Sequence, residues 1–287
     1  LDGLRVDTYP YIEMIPGSEW VKAIMDEYPN LNIVGECWTR PASAVAYWQR
    51  GANNYNGFNS HLPSVMDFPV EEAIRQALET DGKQWGDGLT RVYDAIAMDY
   101  LYADVNNILI MLGNHDMDRI TDVVKDQDPR RVKLAYTLLA TMRGIPQVFY
   151  GDEYGMKSSD RSLGHSTLRM PLPLNGEVTS EMQYMFDYQS RLFQWRKGEP
   201  VIHTGRTMHF MSRDNTYGFF RYNDNEAVFV FVNASEDNRT IPTANYAEIL
   251  SKYNPVGEDV ISGIIYDLSE KDIVIEPLSS IVVKLQK

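Results

Sequence analysis

The chain has 287 residues, 44% of them hydrophobic and 11% aromatic, enough apolar surface for one large packed domain or two ordinary ones and too much for a disordered chain. Its 27 Lys and Arg stand against 40 Asp and Glu, a net charge of −13 without a basic run, which argues against nucleic acid and anionic membrane as partners and favours a neutral ligand. A single cysteine, Cys37, excludes an internal disulfide framework and a cysteine-based zinc site, and no apolar stretch approaches transmembrane length.

The opening LDGLRVD alternates Leu4 and Val6 with Arg5 and Asp7, the period of a β-strand, and so puts both charges on one face. GSEWVKAIMDEY reads as a helix, with Ser18 as N-cap and Trp20, Val21, Ile24, Met25 and Tyr28 at helical spacing. NLNIVGECW is a second strand, followed by a helix over about 42–50. SVMDFPV is a short third strand, with Pro69 opening a helix through Leu78, and another helix runs over about 88–101. NILIMLGNHD is a fourth strand, almost wholly apolar as expected when both faces are covered. RRVKLAYTLLATM is a helix stopped by Gly144, and IPQVFYGDE is a fifth strand. After an irregular stretch over 154–176, a last helix runs from about Thr179 to Arg196. Strands alternating with helices predict parallel βα units.

At the KGEP sequence, 197–200, the period turns to two. TYGFFRY, EAVFVFVN, DVISGIIYDL and SSIVVKLQ are separated by turn clusters such as NDN at 223–225. Residues 199–287 are therefore expected to form a separate antiparallel β-domain, a sandwich or small barrel, after an α/β domain over 1–198. The two sequons at Asn233 and Asn238 share one turn-like stretch and read as turn chemistry.

Each strong strand of the first domain ends in polar residues: Asp7, Glu36, Asn114-His115-Asp116 and Gly151-Asp152-Glu153. In parallel α/β architectures the C-terminal edge of the strands is where sites are built. Asp7 and Glu36 lie 29 residues apart, one βα repeat, which predicts neighbouring strands. At a strand spacing of roughly 4.8 Å their carboxyls approach the ~5–5.5 Å separation of retaining glycosidases rather than the ~6.5–9.5 Å of inverting ones. Arg5, on the face of Asp7, is expected to hold that carboxylate ionised, which suits a nucleophile. Glu36 follows Ile33 and Val34 and is flanked by Cys37 and Trp38, surroundings that favour a proton-bearing carboxyl and suit an acid/base. Asp116, beside His115, is a third acid for which a positively charged, oxocarbenium-like transition state has a use. Tyr150, Asp152 and Glu153 read as shaping a loop, and Cys37 as a small buried neighbour of Glu36.

DGLRVD, VGECW and LGNHD resemble, in order, the three catalytic-region motifs of the α-amylase family of glycoside hydrolases, and GIPQVFYGDE is similar to the segment on that family's eighth barrel strand. DTYPY and NHDMDR are most similar to the neopullulanase and cyclomaltodextrinase branch. The resemblance implies the C-terminal portion, strands four to eight, of a TIM-type (β/α)8 barrel followed by an all-β antiparallel sandwich domain. It also implies a retaining hydrolase of α-1,4-glucosidic bonds in an oligosaccharide or polysaccharide α-glucan: maltodextrin, cyclodextrin or pullulan. The alternatives are a transglycosylase of the same family and a non-catalytic carbohydrate-binding barrel. Asp7 would be the nucleophile with Arg5 as its partner, Glu36 the general acid/base and Asp116 the transition-state stabiliser, with His115 and Asn114 meeting sugar hydroxyls. Arg169, in STLRMP, resembles the sugar-contacting Arg of the family's D-P-x-x-R segment, although His165 and Ser166 stand where the family has Asp and Pro. Tyr9 and Trp38 offer stacking faces. The resemblance implies no required cofactor, leaves calcium open for the full-length parent, and points to a secreted or periplasmic one.

The family's first three barrel strands, and the motif on the third, have no counterpart here, and Leu1 is not an initiator Met. The chain is therefore expected to be part of a longer polypeptide. Five of eight strands would leave sheet edges at GLRVD and QVFYG with unpaired backbone groups, to be covered by the N-terminal half of the barrel or by self-association. With half the sugar-binding wall absent, the isolated chain is expected to show little or no activity, since misplacement alone can cost about 10²-fold.

Overall fold

The computed structural model describes residues 1–174, 176–270 and 273–287. Strands β1 (Gly3–Val6), β2 (Asn32–Gly35) and β3 (Ser64–Val65) pair in parallel and in that order. β4 (Leu109–Met111) pairs in parallel with β5 (Ile145–Gln147), and a parallel bridge from Met66 to Leu109 joins the two sets, so the five strands follow chain order. Between them lie α1 (Met14–Glu27), α2 (Ala42–Ala46), α3 (Phe68–Glu79), α4 (Leu89–Ala97), α5 (Ile120–Val123) and α6 (Pro129–Thr141). This is the barrel-type succession that the strand and helix periods predict. By compactness the chain divides into one unit of Leu1–Ala73, Asp94–Met111 and Gly144–Gln147, and another of Ile74–Tyr93, Leu112–Arg143 and Val148–Lys287.

The first unit holds all five parallel strands. β1 keeps its alternation, with Leu4 and Val6 partly covered and Arg5 on the open parity, while Ile33 of β2 is fully buried. Asp67 fastens the end of β3: its N–H donates to the Leu109 carbonyl at 2.8 Å, and its Oδ1 accepts the N–H of Val70 in the first turn of α3 at 3.3 Å. Two helix expectations need correction. α1 begins at Met14, ahead of Ser18, because Pro16 needs no N–H partner in a first turn; Ser18 sits inside the helix with its hydroxyl donating to the Ile15 carbonyl at 2.9 Å. α2 stops at Ala46 rather than near Arg50, and the following residues turn back through amide side chains, Asn54 Nδ2 donating to the carbonyls of Tyr47 and Phe58.

In the second unit, α7 (Ser180–Lys197) is capped by Thr179, whose Oγ1 accepts the Met182 N–H at 3.3 Å. A short helix, α8 (Pro200–Thr204), precedes the antiparallel strands. These are β6 (Arg206–His209), β7 (Thr216–Tyr222), β8 (Glu226–Asn233), β9 (Arg239–Thr240), β10 (Val256–Asp259), β11 (Ile265–Asp267), β12 (Val274–Ile275) and β13 (Ser279–Gln286), with α9 (Ala247–Leu250) between β9 and β10. Six form a sheet in the order β11-β10-β13-β8-β7-β6, and β9 pairs with β12. Residues of both sheets, among them Phe220, Phe229, Phe231, Ile275 and Val283, share one core, the two-layer arrangement of an all-β sandwich. The run DVISGIIYDL is not one strand: Asp259 Oδ2 accepts the N–H and hydroxyl of Ser262, and Gly263 at φ +75° completes a turn from β10 into β11.

The boundary drawn at 198/199 is a change of period along the chain and falls inside this second unit, where Thr137 of α6 joins Tyr188 of α7 (2.6 Å) and Ser280 of β13 (3.1 Å) through hydroxyl hydrogen bonds. Asn233, the first of the two sequons, is fully buried. Its Nδ2 faces the carbonyls of Asp237, Ile275 and Glu276, and its Oδ1 accepts from the N–H and hydroxyl of Ser235, which is turn chemistry. Among the described residues no helix is long and apolar enough to cross a membrane.

Candidate active site

Parallel pairing sets Arg5 opposite Val34 and Val6 opposite Gly35, so Asp7 and Glu36 leave the C-terminal ends of adjacent strands at the same height. Backbone bonds then knit the two exits: the Glu36 N–H donates to the Val6 carbonyl at 2.9 Å, and the Tyr9 N–H to the Glu36 carbonyl at 3.0 Å. Thr8 sits between them at φ 44°, ψ 42°, a left-handed conformation that costs a β-branched residue energy and is held by these bonds. Its N–H donates to Glu36 Oε2 at 3.0 Å. Gly35 lets the chain pack closely here: a Cβ at this position would lie 2.5 Å from Leu62 Cδ2 and 3.1 Å from the Tyr9 ring, so those side chains would have to shift.

One guanidinium serves both acids. Arg5 Nη1 donates to Asp7 Oδ1 and Arg5 Nη2 to Glu36 Oε1, each at 2.6 Å. The expected pairing of Arg5 with Asp7 is present, and the apolar surroundings expected of Glu36 are corrected: the shared register of β1 and β2 brings this second carboxylate within the same fork. The two acids still differ sharply in surroundings, since the Glu36 side chain is 3% exposed and that of Asp7 65%. Cys37, next to Glu36, is fully buried, and burial, reinforced by the Glu36 charge, pushes its thiol up, so it is no nucleophile.

A cleft of about 500 Å³ opens beside Glu36, lined among others by Thr8, Tyr11, Trp38, Thr39 and Trp48. Trp38 stacks one face on Phe68 at 5.3 Å, which fixes its plane, and remains half exposed. Tyr9 is the contrary case. It is 2% exposed, lies edge-on to Trp48 at 5.6 Å, and its hydroxyl, raised to about 12 by burial and then by the Cys37 charge, points to the Ser60 carbonyl. The stacking role expected of Tyr9 is therefore corrected to core packing beneath Gly35.

The remaining expected residues gather in the second unit. Asp116 Oδ2 faces His115 Nε2 at 3.1 Å, and Asp116 Oδ1 accepts from Arg169 Nη2 at 3.1 Å with His165 Nδ1 at 3.7 Å. Arg169, expected as a sugar contact, thus meets this acid. His165, which stands where the family has Asp, takes part in the same group of charges, and only the contact itself could disclose that. Asn114 is a correction. It is buried, and its Oδ1 accepts the Asp116 N–H at 2.8 Å, so it shapes the turn that presents Asp116 instead of touching a sugar.

Arg119 and Asp152 escaped the sequence reading as a pair. Arg119 is buried: Nη1 donates to Asp152 Oδ1 (2.5 Å) and to the Tyr150 carbonyl (2.9 Å), and Nη2 to the Leu168 carbonyl (2.7 Å), while the rings of Phe149 and Tyr150 lie over the guanidinium. It therefore ties the turn carrying Asp116 to the segment carrying Arg169. The signal was an Arg next to the apolar Ile120 at the close of NHDMDR. Burial raises the Asp152 carboxyl to about 6 against the pull of Arg119. Among the described residues no group of three or more His, Cys, Asp or Glu side chains is placed to hold a metal ion.

Comparison with known proteins assigns the chain to a family. The family described as "Alpha amylase, catalytic domain" matches residues 2–240, and the one described as "Cyclo-malto-dextrinase C-terminal domain" matches residues 207–284. A cyclomaltodextrin glucanotransferase of Geobacillus stearothermophilus is 26% identical over 83% of the chain and 31% of its own length. An α-amylase of Niallia circulans is 25% identical over 88% of the chain and 45% of its own. The chain thus spans between about a third and a half of the length of these curated relatives. A crystal structure of α-amylase from Geobacillus thermoleovorans complexed with acarbose superposes on the whole chain and 60% of that protein with a TM-score of 0.78 at 20% identity, a likeness of fold.

Proposed function

The chain belongs to the α-amylase catalytic-domain family, and from that premise we propose that Asp7 and Glu36 are the nucleophile and the general acid/base of a retaining α-glucan hydrolase. The observation that carries the reading is the Arg5 fork, which holds two carboxylates side by side at the ends of adjacent parallel strands, one open and one buried. In the first half-reaction Glu36 gives its proton to the glycosidic oxygen while Asp7 attacks the anomeric carbon, so that the C–O bond to the leaving sugar breaks as an ester to Asp7 forms. In the second, Glu36 takes a proton from water, the water oxygen bonds to the anomeric carbon, and Asp7 leaves as a carboxylate. For Asp116, which Asn114 presents and His115 and Arg169 hold within the second unit, the role implied by the family resemblance is to stabilise the positive charge that develops between these states. Trp38 supplies an apolar face for the sugar ring, and His115 a hydrogen bond to a sugar hydroxyl.

The substrate is an α-1,4-linked glucan, with cyclodextrin favoured by the match of residues 207–284 to a cyclomaltodextrinase domain. A second reading, transglycosylation, is supported by the glucanotransferase among the relatives: a sugar hydroxyl replaces water as acceptor from the Asp7 ester. Product analysis on maltotriose separates the two, because only transfer yields products longer than the substrate.

The test is made in the complete polypeptide. Asp7→Asn and Glu36→Gln should each abolish turnover of maltodextrin without changing the circular dichroism spectrum, and a fluorinated glycosyl fluoride should leave an ester on the peptide containing Asp7, located by mass spectrometry. Near-wild-type turnover in either variant, or release of the product in the inverted anomeric form, would overturn the assignment.

A further inference from the structure

Apart from the Glu36 cleft, the first unit carries a second concavity of about 680 Å³, walled on one side by residues 43–55 and on the other by Tyr100 and Leu101. Its walls are braced before any ligand arrives. The buried Gln49 side chain donates from Nε2 to the Asp104 carbonyl at 2.8 Å and accepts the Asp104 N–H on Oε1 at 3.0 Å, which clamps one wall to the other. Asn54 Nδ2 reaches the carbonyls of Tyr47 (2.8 Å) and Phe58 (2.9 Å), Tyr47 stacks on Phe58 at 5.6 Å, and Asn56 Nδ2 donates to the Tyr47 hydroxyl at 2.9 Å. On this rigid frame Tyr55 is 97% and Tyr100 78% exposed, so two large rings offer their faces to water at the rim. Packing explains neither.

The lining names the ligand class. It contains aromatic rings and the amides of Asn53 and Asn54, and no charged side chain, in a chain whose net charge of −13 disfavours an anion. Ring faces beside neutral hydrogen-bonding groups suit a molecule that presents C–H faces and a rim of hydroxyls, a sugar chain. Trp48 lines this concavity and the Glu36 cleft alike, so the two hollows share a wall. We propose that the Tyr55–Tyr100 concavity is an accessory site that holds a neutral α-glucan chain beside the catalytic cleft. The proposal rests on the α-glucan reading of the Glu36 cleft, from which it takes the linkage of its ligand.

Hydrogen exchange of the chain with and without maltoheptaose, read by mass spectrometry, tests it. Bound glucan should slow exchange over 50–58 and 98–104. Tyr55→Ala combined with Tyr100→Ala should remove that protection, keep any protection at 36–39, and weaken maltoheptaose binding in calorimetry at least about fivefold, roughly 1 kcal/mol. Tyr55→Phe with Tyr100→Phe, which keeps both ring faces, should retain it. Protection confined to 36–39 would overturn the accessory site and leave the hydrolase reading standing. Equal protection of 50–58 by the β-linked cellohexaose would overturn the α-glucan assignment. Absence of protection at both places, together with no turnover of maltodextrin by the complete polypeptide, would overturn both.

Discussion

Replacing Asp152 by Asn asks whether burial or the neighbouring cation governs the charged knot of the second unit. The Asp152 side chain is 3% exposed against an Arg119 with no exposure at all, and burial lifts its carboxyl from 3.8 to about 6, with Arg119 opposing. Because the folded-state value is the higher one, the folded protein binds the extra proton between those two pH values. The stabilising contribution is complete below about pH 3.8 and is lost as pH rises through 6. A shift of roughly two units corresponds to about 3 kcal/mol. Asn does not titrate, so the unfolding free energy of the wild type minus that of Asp152→Asn should fall by about 3 kcal/mol between roughly pH 4 and 7, the other carboxylates cancelling in the difference. Urea unfolding followed by tryptophan fluorescence at half-unit pH steps measures it. A difference that stays flat, or moves in the wild type's favour as pH rises, would refute the reasoning and assign the site to Arg119's charge.

Three further outcomes are expected. Arg5→Met should lower kcat/KM on maltodextrin in the complete polypeptide by at least about 10²-fold through misaligned acids. It should cost about 1–3 kcal/mol in stability, less than a fully buried pair because Arg5 is a third exposed; unaltered kcat would remove its positioning role. Gly35→Ala should cost about 1–3 kcal/mol, since the new Cβ collides with Leu62 and Tyr9, and calorimetry should find a lowered Tm; an unchanged Tm would mean that the two side chains yield freely. Asn233→Ala should cost about 1–3 kcal/mol by stranding the carbonyls of Ile275 and Glu276, and a neutral result in urea would show that water replaces the amide.

The strand ends were legible because the information is local. Alternation in LDGLRVD and the apolar run in NLNIVGECW, one βα repeat apart, set two acids at the C-terminal ends of adjacent strands, and the order of the five parallel strands followed from the same period. Helix limits were less so. Ser18 has the chemistry of a cap, but Pro16 ahead of it is equally at home in a first turn, and the hydrogen bonds from α1 decide between them.

Partnership between distant segments was not legible. Period tells which way a side chain points and says nothing of what comes to meet it. Arg5 was visible beside Asp7 in sequence, but its second hydrogen bond, to Glu36, exists only because parallel pairing brings residue 34 level with residue 5. Tyr9 read as an open face until the turn through Thr8 folded it under Gly35. Arg119 faces Tyr150, Asp152 and Leu168, groups 31 to 49 residues away. The secondary-structure rhythm and the place of the acids at the strand ends are written in the sequence, because backbone geometry repeats over a few residues. The tertiary structure decided their neighbours and burial, because an electrostatic environment is made by whichever distant segments the packed chain brings within a few ångströms.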